Sequence, residues 1–567
     1  MSAARSWEVA STPAWLDIAG SLDGDFVHRY ASKVPTASPA PWRYPAAVTT
    51  RAATGIRPRA RLALPALPMS AIAVTAFFAL VALPRATMPL VDGDVWWHLR
   101  AGEMVLSTGQ VPRVDTWTIV GDGMRWISQD WLSNTVMAAL LHAGGSYGET
   151  LLSLVFGALV VFAFALLWRA VSARDPGTGW LTRLLWLTFG LLVAGPVVGV
   201  RVQTVDLVMV SLTIWVLWHF VTDRRRLWPV LLPVIAAAWV NLHAGFPLLF
   251  AFGGAVLVGE AGDRLLRRPV IPEPLRWADL VWLAGGLMAA GAALVLNPNG
   301  IDIYAYPFAT AGIQAHRDFI FEWSRPDLSS FPGQLLFALL ALAVLPTLFL
   351  ARRELRLTDT LWLLGATALS LSAIRFVLVI GPVAAVMACV YLARRLAATE
   401  VARGVTNLTR RLARPARSPG LAAANLVLCF AVALFGVGVA FARVTPSAQS
   451  SAIAEAMPVG ATAWLRDHAP EARIFNVYAW GGWLGRELPD ARVFIDGRSD
   501  IYGDAPIRSY ADAIELQTDP AQLLDRYRID HVVFWPDSAL GGWLDRNSAW
   551  RQVYSDGQSA IWERVGP

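Results

Sequence analysis

The stretch VDGDVWWHLRAGEMVLSTGQVPRVDTWTIVGDGMRWISQDWL (Val91–Leu132) decides how this chain is read. It follows the first long apolar run of a sequence that is otherwise mostly apolar runs. It gathers Asp92, Asp94, His98, Glu103, Asp115 and Asp130 among five tryptophans. Acids beside aromatics of the kind that line a bilayer edge predict a wet site at a membrane surface, with the rest of the chain as its scaffold.

The totals agree. Of 567 residues, 55% are hydrophobic and only 16% charged, too few charges to cover a soluble protein of this size. The class is a polytopic α-helical membrane protein. The 26 Trp and 24 Phe fit interfacial belts, and a net charge of +6, spread by topology, excludes a nucleic-acid patch. Cys389 and Cys429 both lie in apolar runs and predict buried thiols without a disulfide framework. A composition rich in Ala, Arg and Trp and poor in Lys points to a high-GC bacterium.

Apolar segments at 66–88, 148–171, 181–200, 204–222, 228–244, 246–263, 278–297, 333–351, 358–373, 376–393 and 420–442 predict about eleven spanning helices. The turns between them alternate in charge. Arg169, Arg174 and Arg183, then Arg224–Arg226, Arg264, Arg267 and Arg268, Arg352, Arg353 and Arg356, and finally seven arginines over 394–417 mark cytoplasmic turns. That pattern predicts a multi-pass protein of the inner (plasma) membrane with a cytoplasmic N-terminus. Residues 1–65 read as a disordered cytoplasmic tail and 66–444 as the membrane domain. The first loop (91–146), the loop 298–332 and a C-terminal α/β domain (445–567) read as extracytoplasmic. The last rests on β-type runs at 473–478, 491–496, 531–536 and 560–564 with helical segments over 505–516 and 521–527.

A helix over 94–106 would set Asp94 and His98 one turn apart on one face, with Trp97, Met104 and Val105 toward lipid. Carboxylate and imidazole there can act as general base or hold a divalent ion. Plain helix capping by Asp92 is the structural alternative.

The acidic pair after the first span, with WWHLRAGE (96–103), Gly109, Pro112, Asp115 and Gln129-Asp130-Trp131-Leu132, resembles the GT-C superfamily of membrane glycosyltransferases. The resemblance is to bacterial members of the dolichyl-phosphate-mannose-protein mannosyltransferase type. Asn241-Leu-His243, Asn297-Pro-Asn-Gly300, Trp480-Gly-Gly and Ile495-Asp-Gly-Arg498 are similar as well. Many members carry an Asp-Glu pair in this loop where this chain has Asp-Gly-Asp, so which aspartate is the base stays open. The resemblance implies an inverting transfer, of hexosyl or pentosyl type, from a polyprenyl-phosphate sugar to a glycan, lipid or protein acceptor. Asp94 is then expected as base, with Asp92 second. Asp92, Asp94 and His98 are an expected site for magnesium or manganese. Arg375, in SAIRF, and Arg201 are expected to clamp the lipid phosphate. His98, Asp115, Asp130, Asn241 and His243 are expected to meet substrate.

In the loop 298–332, His316, Arg317, Asp318, Glu322 and Trp323 are candidates for acceptor contact on composition alone. Asn297-Pro-Asn-Gly reads as turn chemistry; in Asp496-Gly-Arg498-Ser-Asp500, after a strand, Asp496 and Arg498 read as a pair that fixes a turn, with acceptor binding as the alternative. Two other classes compete. A transporter or flippase should carry ionisable groups near the midplane, usually with inverted repeats, and neither pattern is visible. A non-catalytic assembly or sensor protein would tolerate Asn at Asp92 and Asp94.

Overall fold

The computed structural model describes residues 67–270, 272–396, 407 and 409–566. The N-terminal tail expected over 1–65 lies outside them. Eight helices among these residues are long and apolar enough to cross a membrane: Met69–Ala86, Trp131–Arg174, Trp180–Val197, Gln203–Asp223, Trp277–Leu296, Phe331–Leu350, Ile374–Leu396 and Pro419–Ala442. The other three apolar segments are also helices, Leu227–Leu242, Pro247–Leu265 and Leu357–Ser372. The first and last have 16 residues each, and the middle one carries Glu260, Asp263 and Arg264 in its last turns. The protein is a polytopic helical membrane protein. Its innermost span is Ile374–Leu396, in which every residue from Val377 to Leu392 is buried. Gly381 lets this helix touch the span Trp180–Val197 at Gly190: a Cβ at either glycine would stand 2.3 Å from the other's carbonyl oxygen. Apolar helices in lipid gain from such close approach.

The arginine-rich turns sit together at one end of the bundle and are knitted by ion pairs. Arg356 joins Glu260, Arg174 joins Asp359 (3.4 Å), Arg394 joins Asp175 (2.9 Å) and Arg268 joins Asp263 (2.8 Å).

At the other end lies a five-stranded mixed sheet in the order β2-β1-β3-β5-β4. Strands β1 (Arg473–Asn476), β2 (Arg492–Val493) and β3 (His531–Phe534) are parallel, and β5 (Ala560–Arg564) runs antiparallel to β3 and to β4 (Trp550–Ser555). β3 is buried along its length, as a continuous apolar run requires. β4 escaped the sequence reading because Trp550-Arg-Gln-Val-Tyr-Ser is an edge strand whose middle faces water.

The first loop is folded into this sheet. Val95, Trp96, Trp97, Leu99, Trp117, Ile119 and Trp126 share one continuous core with Ile474, Phe475, Trp480, Val493, Val532 and Trp562. Trp96 meets Trp483 edge to face at 4.6 Å, Thr118 bridges to Val493, and Arg486 holds Glu103 at 2.8 Å. The helix Gly93–Thr108 does form, but Trp97 is buried rather than set against lipid, because the sheet region covers that face.

Candidate active site

The turn Asp92-Gly-Asp94 opens the helix Gly93–Thr108. Asp92 is its N-cap, with Oδ1 accepting from the Asp94 N–H at 2.9 Å. The capping alternative is therefore real, but it uses only one oxygen. Asp92 Oδ2 accepts from Arg201 Nε, and Arg201 Nη1 donates to Glu322 Oε1. One cation from the junction of two spans thus ties two carboxylates, one from each long loop. Burial works against the charge on Glu322, but Arg201 and then Arg375 outweigh it and hold that carboxyl below its ordinary value.

Asp94 is left as the surplus acid. Its Oδ1 accepts from Trp97 Nε1 at 3.2 Å. Burial first, then the Asp92 charge beside it, with Glu322 adding to both, outweigh Arg201 and push the Asp94 carboxyl up to about 8. A carboxyl poised there holds its proton at rest and can exchange it near neutrality.

Arg375 stands 4.2 Å over the Trp323 ring, brought there by the bond from Ile374 N–H to Ser324 O (3.0 Å). Among the described residues its guanidinium has no hydrogen bond or ion pair. Its charge acts on Glu322 through space without a bond, whereas Arg201 bonds two carboxylates.

The remaining candidates separate. His98 presents Nδ1 to Asn134 Oδ1 at 2.7 Å, with Asp130 Oδ2 at 3.3 Å, and burial pushes it down to about 3, so it is neutral. Asn134 in turn donates to Asp130 (3.1 Å), whose carboxyl burial raises to about 6. His243 Nδ1 lies 2.6 Å from Asp206 Oδ2, and Trp239 Nε1 donates to Asp206 Oδ1 at 2.7 Å. Asn241 is spent on Trp131 (2.6 Å) and on Ala237 O (2.7 Å). Asp115 is fully buried and binds Arg498 (3.1 Å) and Thr118. Asn297 staples Gln129 O and Val240 O (3.1 and 2.8 Å). In the loop 298–332, Asp318 goes to Arg508 (2.6 Å) and His316 is buried beside Trp323; only Glu322 bonds into the Arg201 cluster.

Among the described residues no three His, Cys, Asp or Glu side chains converge as metal ligands would, so Asp92, Asp94 and His98 do not form such a set. Asp92 is tied to Arg201, and His98 to Asn134 and Asp130.

Asp206 and Tyr306 were not among the candidates that the sequence offered. The Tyr306 hydroxyl donates to Asp500 at 3.0 Å, joining the loop 298–332 to the C-terminal region beside the site. Asp206 had a signal of its own, as an acid in the first turn of an apolar span.

The carboxylate site thus lies at one end of a helix bundle, against segments 479–482 and 496–498 of the region that carries the mixed sheet. No family model and no curated protein matches the chain in sequence. The chain is similar to the oligosaccharyltransferase AglB from Archaeoglobus fulgidus, solved with an inhibitory peptide and a dolichol-phosphate. The TM-score is 0.52 at 12% identity, over 82% of this chain and 69% of that one. An apo oligosaccharyltransferase from the same organism gives 0.50 at 13% identity, over 82% and 69%. ArnT from Cupriavidus metallidurans, bound to undecaprenyl phosphate, gives 0.46 at 15%, over 88% and 98%. The chain has the GT-C fold.

Proposed function

We propose that this protein is a glycosyltransferase of the extracytoplasmic face of the inner membrane. It would move a sugar from polyprenyl phosphate to a hydroxyl or amino group of a glycan, lipid or protein, with Asp94 as base. The observation that carries the proposal is the pairing of roles at one site: a carboxyl raised to about 8 at Asp94, and at Arg375 a guanidinium that, among the described residues, bonds no carboxylate. The AglB structure, solved with a dolichol-phosphate, supports a lipid-phosphate donor.

In the reaction the acceptor oxygen or nitrogen attacks the anomeric carbon and forms the new bond. The bond from that carbon to the lipid phosphate oxygen breaks on the opposite face, with inversion. Asp94, ionised, takes the acceptor's proton. Arg375 meets the charge that develops on the departing phosphate. Arg201 holds Asp92 and Glu322 in place and so fixes the field around Asp94.

The test is transfer from radiolabelled polyprenyl-phosphate sugars by the purified full-length protein. Asp94→Asn is expected to lower the rate by about 10²–10⁴-fold, and Arg375→Ala to lower kcat/KM by about 10²-fold. Transfer by Asp94→Asn at the wild-type rate removes Asp94 as base. No transfer from any such donor sinks the proposal.

A further inference from the structure

We propose that the C-terminal domain is the second half of the Asp94 site and that Gly497 is a positioning residue, its bare backbone forming the seat of the Asp94 carboxylate. The inference rests on the reading of Asp94 as the reacting acid and adds what holds it.

The contact is backbone against carboxylate. A Cβ on Gly497 would stand 1.7 Å from Asp94 Oδ1, 2.8 Å from its Cγ and 2.9 Å from Trp97 Nε1. Position 497 therefore lies on the Trp97–Asp94 hydrogen bond, and no side chain fits. Its neighbours repeat the pattern. A Cβ on Gly482 would meet Gly93 O at 2.6 Å and Trp97 N at 3.0 Å, and one on Gly93 would meet Ala479 O at 2.1 Å. The acidic turn and the segment 479–482 thus touch main chain to main chain, while the backbone of residue 497 meets the side chains of Asp94 and Trp97.

The loop carrying Gly497 cannot back away. Arg498 is fully buried, forks onto Asp496 (3.0 and 2.7 Å), reaches Asp115 Oδ1 at 3.1 Å and stacks between Trp117 (3.9 Å) and Trp126 (4.6 Å). Asp496 also accepts from Trp117 Nε1 (2.9 Å) and the Tyr502 hydroxyl (2.7 Å). One residue away from the glycine, the chain is riveted to the first loop. If Arg498 served only local turn geometry, Asp496 would satisfy it; the bond to Asp115 and the two tryptophans make it an inter-segment anchor.

The consequence is chemical. The Gly497 backbone covers one side of Asp94, and burial as a whole is the largest cause of its retained proton. The charged and titratable groups facing Asp94 are Asp92 from its own turn, Arg201 from the junction of two spans, Glu322 from the loop 298–332 and Tyr478 from the C-terminal region.

The test uses the full-length protein in detergent, with Gly497→Ala and Gly497→Ser, and Gly542→Ala as control, where a Cβ would meet only the Arg546 guanidinium at ordinary contact distance. Carbodiimide-driven labelling of Asp94, which requires the protonated carboxyl, is followed against pH by mass spectrometry. Wild type and Gly542→Ala are expected to label with a midpoint near 8. The Gly497 variants are expected to label with a midpoint lower by about one pH unit or more, since water reaches the displaced carboxylate. In the transfer assay kcat is expected to fall by about tenfold with KM changed less than about twofold, and the pH limb to move with the labelling midpoint. A folded Gly497 variant whose labelling midpoint is unchanged or raised overturns the inference. Should both variants fail to fold, Arg498→Lys, which keeps the charge but loses the fork, must lower the midpoint in the same direction; an unmoved midpoint there overturns it equally. Labelling needs no turnover, so a protein that transfers nothing while its midpoint still moves refutes the proposed function and leaves the seat of Asp94 standing.

Discussion

Asp94→Asn is expected to stabilise the protein, and to do so more as pH rises. In the unfolded chain the Asp94 carboxyl titrates near 3.8; in the folded protein it is pushed up to about 8. Between those values the unfolded state has lost a proton that the folded state still binds. Folding stability therefore falls by about 1.4 kcal/mol per pH unit across that window and levels off above it. The full window would amount to ~5–6 kcal/mol; solvent still reaches part of the Asp94 side chain, so about half, ~3 kcal/mol, is the working figure. Asparagine has the same shape, keeps an Oδ1 for Trp97 and carries no charge at any pH. The difference between variant and wild type should thus be small at about pH 5 and grow to its full value by about pH 9, because every other titration cancels in the comparison. In thermal unfolding of the detergent-solubilised protein, read by tryptophan fluorescence, that corresponds to a widening of the Tm gap by about 2 °C for a chain of this length. A gap that does not change with pH, or a variant less stable than wild type at alkaline pH, refutes the protonated resting state of Asp94.

Two further outcomes follow from the same charges. Arg498→Ala leaves Asp115 and Asp496 buried without their cation and is expected to cost about 3–5 kcal/mol, seen as a lowered Tm and loss of folded protein; a loss under about 1 kcal/mol would mean the anchor is dispensable. For transfer, the rate is expected to rise with pH toward a plateau above about 8, and Glu322→Gln is expected to move that limb to lower pH. The sign follows because one like charge is removed from Asp94 and Arg201 loses a competing partner; a limb that stays or moves up removes Glu322 from the field around Asp94.

The helices were legible because lipid imposes a length and an apolar composition that survive in the sequence as plain runs. The turn Asp92-Gly-Asp94 was legible because acids next to a span are costly unless used. The partners of these acids were not. Arg201 joins Asp92 across 109 positions and Glu322 across 121, and no local period records such a pairing. Trp97 went to the wrong surface for a related reason: the helical period gives a face, but what covers that face is set by the C-terminal region. Asp115 looked like a member of the acidic cluster and is instead the far end of the Arg498 brace. Gly497 carried the weakest signal, since a glycine between Asp496 and Arg498 reads as turn chemistry until the carboxylate beside it is seen.

The core shared by the first loop and the mixed sheet sets an order of events during synthesis. Trp117 waits for Asp496, 379 residues downstream, before its indole has a partner. At about 5–20 residues per second, the ribosome needs ~20–75 s to supply it. During that interval the tryptophans of the first loop have only one another and nearby helices to pack on and lack the sheet half of their core. A chain cut before residue 473 could fill the bilayer and still carry an open, adhesive loop, so maturation of this protein is decided at its last strands rather than its first span.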